Sequence, residues 1–459
     1  MSKRKHKNRG WCGSERPVLE PDAAGIDVGA REMYVAVPPD RAAEPVRVFG
    51  TFTSELQGLV KWLQECRITT VAMESTGVYW IPLFQLLEEA GIRSCLVNAR
   101  GLKNVPGRRT DWHDCQWLQY LHAVGLLRAA FRPTQEICAV RSIWRQRCEL
   151  VGMAAQHVQH MQKALTQMNL QIHHVISDIT GVTGLAIVDA ILAGERNPDK
   201  LALLREPSIQ ASPETIRQSL LGDWRREHLF VLQQSRTLYQ SYREQIAGCD
   251  REIEALLGQL PPRADPNHLP PADKTTRQKK RTAGAISFDY RSEAYRLFGV
   301  DLTRIPGMQG TAMGLFSEIG NDLSRFPSAA HFASWLGLCP DNDKSGGQVL
   351  WRGVRKIQQR AGQLFRLSAH SLHRSQTRLG HFLRRMKAKL GPKAATTAAA
   401  HKLAVIFYTL VTKQIEYDES IWAVHEQENR QRMENRLKRQ ASRLGFQLLP
   451  LSLSVEVPQ

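Results

Sequence analysis

Between Ala23 and about Leu127, short runs rich in β-branched residues alternate with segments whose apolar residues recur at helical spacing. That alternation restricts this end of the chain to a layered α/β fold. AGIDVG is an apolar run closing on a carboxylate, Asp27, with Gly29 two residues on. YVAVPP and VRVFGTF follow as strands, the first stopped by prolines and the second alternating with period two. SELQGLVKWLQEC is predicted as a helix with Ser54 at its N-cap. TTVAMES is a second β-branched run that closes on a carboxylate, Glu74; IPLFQLLEEAG is a helix with a glycine stop, SCLVNA a strand and DWHDCQWLQYLHAVGLL a helix. Strands first and then β-α-β-α predict a mixed sheet flanked by helices.

Downstream the pattern is helical. Residues from about 136 to 175 and the stretch Leu229 to Leu260 read as long helices, suited to an antiparallel hairpin or an intermolecular coiled coil. PPRADPNHLPPADKTTRQKKR is rich in proline and charge and reads as a linker. The expected division is a basic arm (1–20), an α/β domain (21–135), a helical region (136–260), a linker (261–283), a mainly helical domain (284–425) and a charged tail (426–459). A chain of 459 residues has material for two or three such domains.

The formal net charge is +18, which points to a polyanionic partner, nucleic acid first. From Lys344 to Ile415 there is no Asp or Glu, while fifteen Lys and Arg occur. Arg352, Arg355, Lys356, Arg360 and Arg366 recur there at roughly helical intervals and suit one face against a DNA or RNA backbone. The eight cysteines form no CxxC pair, a pattern of reduced thiols rather than a zinc site. The basic start is followed by no apolar run of signal type, and no stretch reaches the roughly 18 apolar residues of a spanning helix. The expectation is a cytoplasmic, nucleoid-associated protein with no membrane partner.

Asp111 and Asp114 open a predicted helix, and their spacing puts both on one face. Strand-end carboxylates (Asp27, Glu74) and helix-start carboxylates can converge at the carboxyl edge of such a sheet. Four of them need cations, and magnesium takes oxygen ligands and bridges phosphates. Two ions about 4 Å apart clamp a scissile phosphate. Taken singly, each has a plainer reading: Asp111 as a helix cap, Asp114 as a dipole partner, Asp27 as a turn residue. Glu74 is harder to dismiss, since a carboxylate directly after TTVAM stands where a buried strand ends.

Two further features bear on chemistry. TRIPGMQGTAMGLF places Gly307 and Gly310 three apart before a helix, either as an ordinary Pro-Gly turn or as a turn presenting backbone N–H groups to phosphate. Ser345 precedes two glycines beside a basic segment, either as a loop serine or as an accessible nucleophile.

GIDVG, AMESTGVYW and GRRTDWHDCQWL in this order resemble the RuvC-type, RNase H-like domain of the DEDD transposases of the insertion-sequence 110 family, and WLGLCPDNDKSGG with the basic segment after it resembles that family's C-terminal transposase domain. The resemblance implies bacterial mobile-element recombinases, some guided by a bridge RNA. It places the four acidic residues on Asp27, Glu74, Asp111 and Asp114, and the catalytic serine, which joins covalently to a DNA strand end, on Ser345. It implies a composite site between serine and acids, often formed between protomers. It implies magnesium (two ions, with manganese as an alternative), DNA of element ends and target, a guide RNA, and a dimer that becomes a tetramer at synapsis. Lys103, Arg108 and Arg109 become phosphate contacts rather than a solvated basic loop, and the glycine turn resembles a helix-hairpin-helix element. The similarity covers most of residues 23–425.

Other readings have less support. His157, His160, His173 and His174 lack carboxylate or cysteine partners at ligand spacing and fit polar positions on a helical hairpin. ISDITGVTG with GIDVG suggests the paired phosphate loops of actin-like ATPases, but leaves Asp111 and Asp114 without a task. A RuvC-like structure-specific endonuclease and a non-catalytic nucleic-acid-binding protein on the same fold are the remaining alternatives.

Overall fold

The structure is a computed structural model that describes residues 17–75, 77–97, 111–272, 284–346, 348–351, 353–354, 359–419, 431, 434–435 and 437–447. The chain divides into two compact units, residues 1–132 and 133–459.

The first unit holds β1 (Ala23–Val28), β2 (Glu32–Ala36), β3 (Val46–Gly50), α1 (Thr53–Glu65), β4 (Thr70–Glu74), α2 (Trp80–Glu89), β5 (Arg93–Val97) and α3 (Asp111–Ala123). The sheet order is β3-β2-β1-β4-β5. β2 is antiparallel to both β1 and β3, whereas β4 is parallel to β1 and β5 to β4. This mixed sheet fits the RNase H-like fold that the sequence motifs implied. Alternation along the strands decides what each face carries. Ala24, Ile26 and Val28 with Met33, Val35, Val71 and Met73 pack against Leu59 and Leu63 of α1 and Leu83 and Leu87 of α2. The opposite face presents Gly25, Asp27, Tyr34, Ala36 and Glu74, and α3 lies over β1, β2 and β4 on that side.

The second unit begins with two 33-residue helices, α4 (Gln135–Gln167) and α5 (Arg226–Gly258). They run antiparallel: Arg147 meets Asp250, His157 stacks on Tyr242 at 5.4 Å, and the Met168 carbonyl accepts from the Asp223 amide at 2.8 Å. Buried positions on α5 recur at three- and four-residue steps (Leu232, Ser235, Tyr239, Ile246, Asp250, Ile253, Leu257), a coiled-coil seam closed within one chain. Four short helices between residues 172 and 219 fill the tip. ISDITGVTG lies there, leading into the all-helical Val182–Leu192 element, so it is no partner hairpin for a phosphate-binding sheet.

Among the buried seam positions of α5 one is charged, Asp250, and it pairs with Arg147. Arg147 Nε lies 2.5 Å from Asp250 Oδ1, both side chains are almost fully buried, and Arg147 also donates to the Gly284 carbonyl at 3.0 Å. Asp250 Oδ2 accepts from the Ser287 amide at 3.0 Å. A single buried polar pair in an apolar seam penalises every other alignment of the two helices, because slippage would leave both charges dry and unmatched. It also fastens the seam to the chain that enters the C-terminal helices.

Those helices are α6 (Tyr290–Phe298), α7 (Ala312–Ile319), α8 (Ala329–Trp335), α9 (Arg360–Ser371), α10 (Arg378–Leu390) and α11 (Pro392–Lys413), with a hairpin of β6 (Asp343–Ser345) and β7 (Gln348–Trp351) between α8 and α9. Phe298, Phe316, Phe332, Phe365 and Phe407, one from each of α6, α7, α8, α9 and α11, form the core with ring centroids 5.5 to 6.1 Å apart. α11 is long and apolar enough to cross a bilayer, with a mean hydropathy of 1.3 over its most apolar window. Its Ala395, Ala399, Leu403 and Phe407 are instead buried in this core. The helix α7 is joined to α4 by Arg145, whose guanidinium makes a two-point contact with Glu318 at 2.9 and 2.7 Å.

Part of the expected linker is packed. Arg263 and Ala264 donate to the Arg296 carbonyl, and Arg291 donates to the Pro270 carbonyl at 2.9 Å, so residues 261–272 lie along α6. Proline and charge mimic a free linker there, while the hydrogen bonds that hold it come from arginines some twenty to thirty residues away in the sequence. Residues 133–459, which hold the long helices and the C-terminal helices, form one compact unit.

Removing one member of the buried pair isolates the other. Asp250→Ala is expected to cost about 3–5 kcal/mol in urea denaturation, far more than a surface change such as Arg225→Ala, whose partner Asp223 is exposed.

Candidate active site

β1 and β4 are adjacent parallel strands in which Ile26 pairs with Met73, so the next residues, Asp27 and Glu74, emerge side by side at the carboxyl edge. α3 starts at Asp111 and descends over the same face. Its approach is set by Gly25. A Cβ at that position would lie 2.2 Å from the Gln119 amide nitrogen and 2.3 Å from the Cys115 carbonyl oxygen. Only glycine lets a helix backbone sit so directly on a strand. Gln119 Nε2 adds a hydrogen bond to the Ala23 carbonyl at 3.2 Å. Cys115 is fully buried between helix and sheet, and burial pushes its thiol up to about 12. With the helix pinned there, its first turn carries Asp111 and Asp114 to Asp27.

The electrostatics report this convergence. Asp27 is raised from 3.8 to about 6, first by burial and then by Asp111, Glu74 and Asp114, with only the Val28 backbone N–H acting in the opposite direction. All three other carboxylates act on the same group. Tyr34, directly across from Asp27 in the β1–β2 pairing, donates to Glu32 at 3.3 Å and is raised by that carboxylate first, then by burial, with Asp111 and Asp27 as smaller causes.

Ser345 lies in the second unit. It is exposed, ends β6 and pairs with Gln348, and Gly346 directly after it stands in a turn at φ +55°. The hairpin continues through the pairing of Pro340 with Val354 and of the Asp341 amide with the Gly353 carbonyl at 2.8 Å. The chain at 353–354 is therefore extended, and helix begins only at Arg360, which is exposed. Arg366 turns inward and donates to the Gly337 carbonyl at 2.9 Å. Arg352, Arg355 and Lys356 lie outside the described residues, as do Lys103, Arg108 and Arg109. Gly307 has φ +86° and a packing role, since a Cβ would lie 2.6 Å from the Ser368 carbonyl oxygen; Gly310 faces open space.

The DEDD transposase family model of IS110 matches residues 24–170, and a second model, of the transposase IS116/IS110/IS902 family, matches residues 301–383. The chain belongs to the IS110 family of transposases. No curated protein matches it at a significant level. The first match spans all four carboxylates and the second spans Ser345. DNA is thus the substrate of this transposase, and the DEDD domain implies dependence on a divalent metal.

The four carboxylates supply only hard oxygen donors, which suits a magnesium-like ion that keeps part of its water shell. Among the described residues, no three His, Cys, Asp or Glu side chains already stand at metal-holding spacing. Sequence reasoning missed Gly25 as the residue on which α3 rests; its signal was a glycine inside a β-branched run. It also passed over Cys115 and Tyr34, which wall the same face.

An acid whose folded pKa lies above its unfolded value weakens the fold as pH rises through that interval, here from 3.8 to about 6 for Asp27. A bound cation offsets the repulsion, but only once the carboxylate is ionised. Magnesium is expected to raise the melting temperature at about pH 7.5 and to lose that effect toward pH 5. In Asp27→Asn the shift should be much smaller at both values; an undiminished response would place the ion elsewhere.

Proposed function

We propose that this transposase cuts and rejoins the ends of its element and a target through Asp27, Glu74, Asp111 and Asp114 in the first unit and Ser345 in the second. The observation that supports the acidic half is the displacement of Asp27, produced by burial and by the other three carboxylates together. The support for the serine half is its exposed place before a tight turn inside the second family match.

Bound among the four carboxylates, magnesium would neutralise charge on the scissile phosphate and acidify an attacking hydroxyl. Asp27 and Glu74, both half-buried, come from the ends of β1 and β4, while Asp111 and Asp114 approach from the first turn of α3. The Ser345 hydroxyl attacks phosphorus, the Ser Oγ–P bond forms, and the P–O bond to the leaving deoxyribose oxygen breaks. The serine proton passes to solvent or a carboxylate, and the leaving oxygen takes one up. In the second step a hydroxyl of the exchanged strand attacks the phosphoserine, re-forming a phosphodiester and releasing Ser345 with its proton. Two transesterifications conserve the phosphodiester energy, as strand exchange requires. We propose magnesium, with manganese as its substitute, an assembly of at least two copies at synapsis, and action in the cytoplasm on nucleoid DNA.

Denaturing gels of wild-type protein incubated with end-containing DNA should show a covalent protein–DNA adduct. Ser345→Ala should lose both adduct and recombination, and Asp114→Asn should lose activity by at least two orders of magnitude without loss of fold. An adduct that persists in Ser345→Ala removes the serine from the reaction.

The charge of +18 and the 72-residue span without acids also support a guide RNA as a partner of the same protein. Protein expressed with the non-coding flank of its element should co-purify with one defined RNA derived from that flank. Recovery of only bulk cellular RNA would count against a dedicated guide.

A further inference from the structure

The C-terminal helices carry a cationic surface made of residues other than the four carboxylates and the Ser345 hairpin. Arg374, Arg385, Lys387, Lys389 and Lys393 are all exposed, on and beside α10. None of them has a carboxylate partner among the described residues, and none is ion-paired there. Several arginines elsewhere in the second unit, Arg145, Arg147, Arg217 and Arg236, each hold a carboxylate. The contrast follows from sequence, since no acid occurs between Lys344 and Ile415.

The arrangement on α10 is orderly. Leu379, Gly380 and Leu383 turn into the core. His381, Arg385 and Lys389 recur at four-residue steps on the opposite side, about 6 Å apart along the axis. Like charges at that spacing destabilise a helix by a few tenths of a kcal/mol per pair. Arg385 lies 5.7 Å from the Phe382 ring centroid and Lys402 of α11 lies 6.0 Å from the same centroid. Lys402 is lowered by burial and by Arg385. Two cations thus flank one aromatic ring, a concentration of like charge that the fold maintains at a cost and that an external polyanion would relieve.

We infer that the outer face of α10, extended by Arg374 and Lys393, binds the phosphodiester backbone of a nucleic acid by charge, without reading its bases. This rests on the transposase reading for the presence of a nucleic acid, but assigns the contact to residues outside the acidic site and the Ser345 hairpin. Duplex DNA and structured RNA offer the same phosphate chemistry, and the experiment separates them.

The full-length protein is titrated with a duplex DNA of arbitrary sequence and with a structured RNA over a salt series, for wild type and for the triple variant R385Q/K387Q/K389Q. Each phosphate contact contributes about 0.9 to the slope of log affinity against log salt for B-DNA. The triple variant should lose about 2 to 3 units of slope and roughly ten- to a hundredfold in affinity at physiological salt on whichever nucleic acid the face holds. R385K/K389R should keep the wild-type slope. As a check independent of the variant's folding, Lys387, Lys389 and Lys393 of wild type should be protected from acylation by the bound nucleic acid. Loss on DNA alone, on RNA alone or on both supports the inference and identifies the source. An unchanged slope on both, or equal lysine labelling with and without nucleic acid, overturns it while leaving the covalent chemistry of Ser345 untouched. A wild-type protein that binds neither would remove the inference and the transposase reading together.

Discussion

The contact between the backbone of α3 and the bare Cα of Gly25 governs the acidic site. Two carboxylates come from strands, where register fixes them, and two from the start of a helix, whose position must be fixed by packing. Gly25 supplies that fixing point, four residues of helix away from Asp111, by letting Cys115 and Gln119 settle against β1 with no side chain between. A helix held this close cannot slide or rotate without losing its contact. The electrostatic consequence is a carboxyl group displaced to about 6 by burial and three neighbours. The fold holds these charges together against their repulsion, which a bound cation would relieve.

The second unit solves a different problem, the presentation of an exposed hairpin on a rigid body. Five phenylalanines from five helices form its centre, and the long α4–α5 hairpin is aligned by one buried ion pair that also grips residues 284 and 287. Specificity of alignment comes from that polar pair, while stability comes from the apolar seam around it. Ser345 stands on the short β6–β7 hairpin of this body, exposed and ahead of a glycine turn. In the region after it, Arg374, Arg385, Lys387, Lys389 and Lys393 are exposed, with no acid between Lys344 and Ile415 to pair with them.

Much of this was legible in sequence because strand periodicity and terminal carboxylates are local signals. Glu74 ends its strand as read and Asp27 stands one residue before the end of its own, while two long helices form where their spacing predicts them. What escaped depends on which segments meet. Gly25 looks like any strand glycine until α3 is laid across it. Residues 261–272 have a linker's composition and are held by arginines of α6. The cations after Ser345 have helical spacing on paper, yet residues 353 and 354 belong to a hairpin, and Arg366 is drawn inward by the Gly337 carbonyl. Sequence leaves the turn at Gly307 open between an ordinary Pro-Gly turn and a phosphate turn, and its close approach to Ser368 depends on a helix sixty residues later.

The most direct test of the acidic site is an anomalous difference map from crystals of the transposase soaked in manganese. The expected result is one or two peaks bound by oxygen atoms of Asp27 and Glu74, with Asp111 or Asp114 completing the shell and the peaks absent from Asp27→Asn crystals. Manganese bound elsewhere, or no peak within reach of Asp27 at saturating metal, would contradict a divalent-ion site built on these four residues.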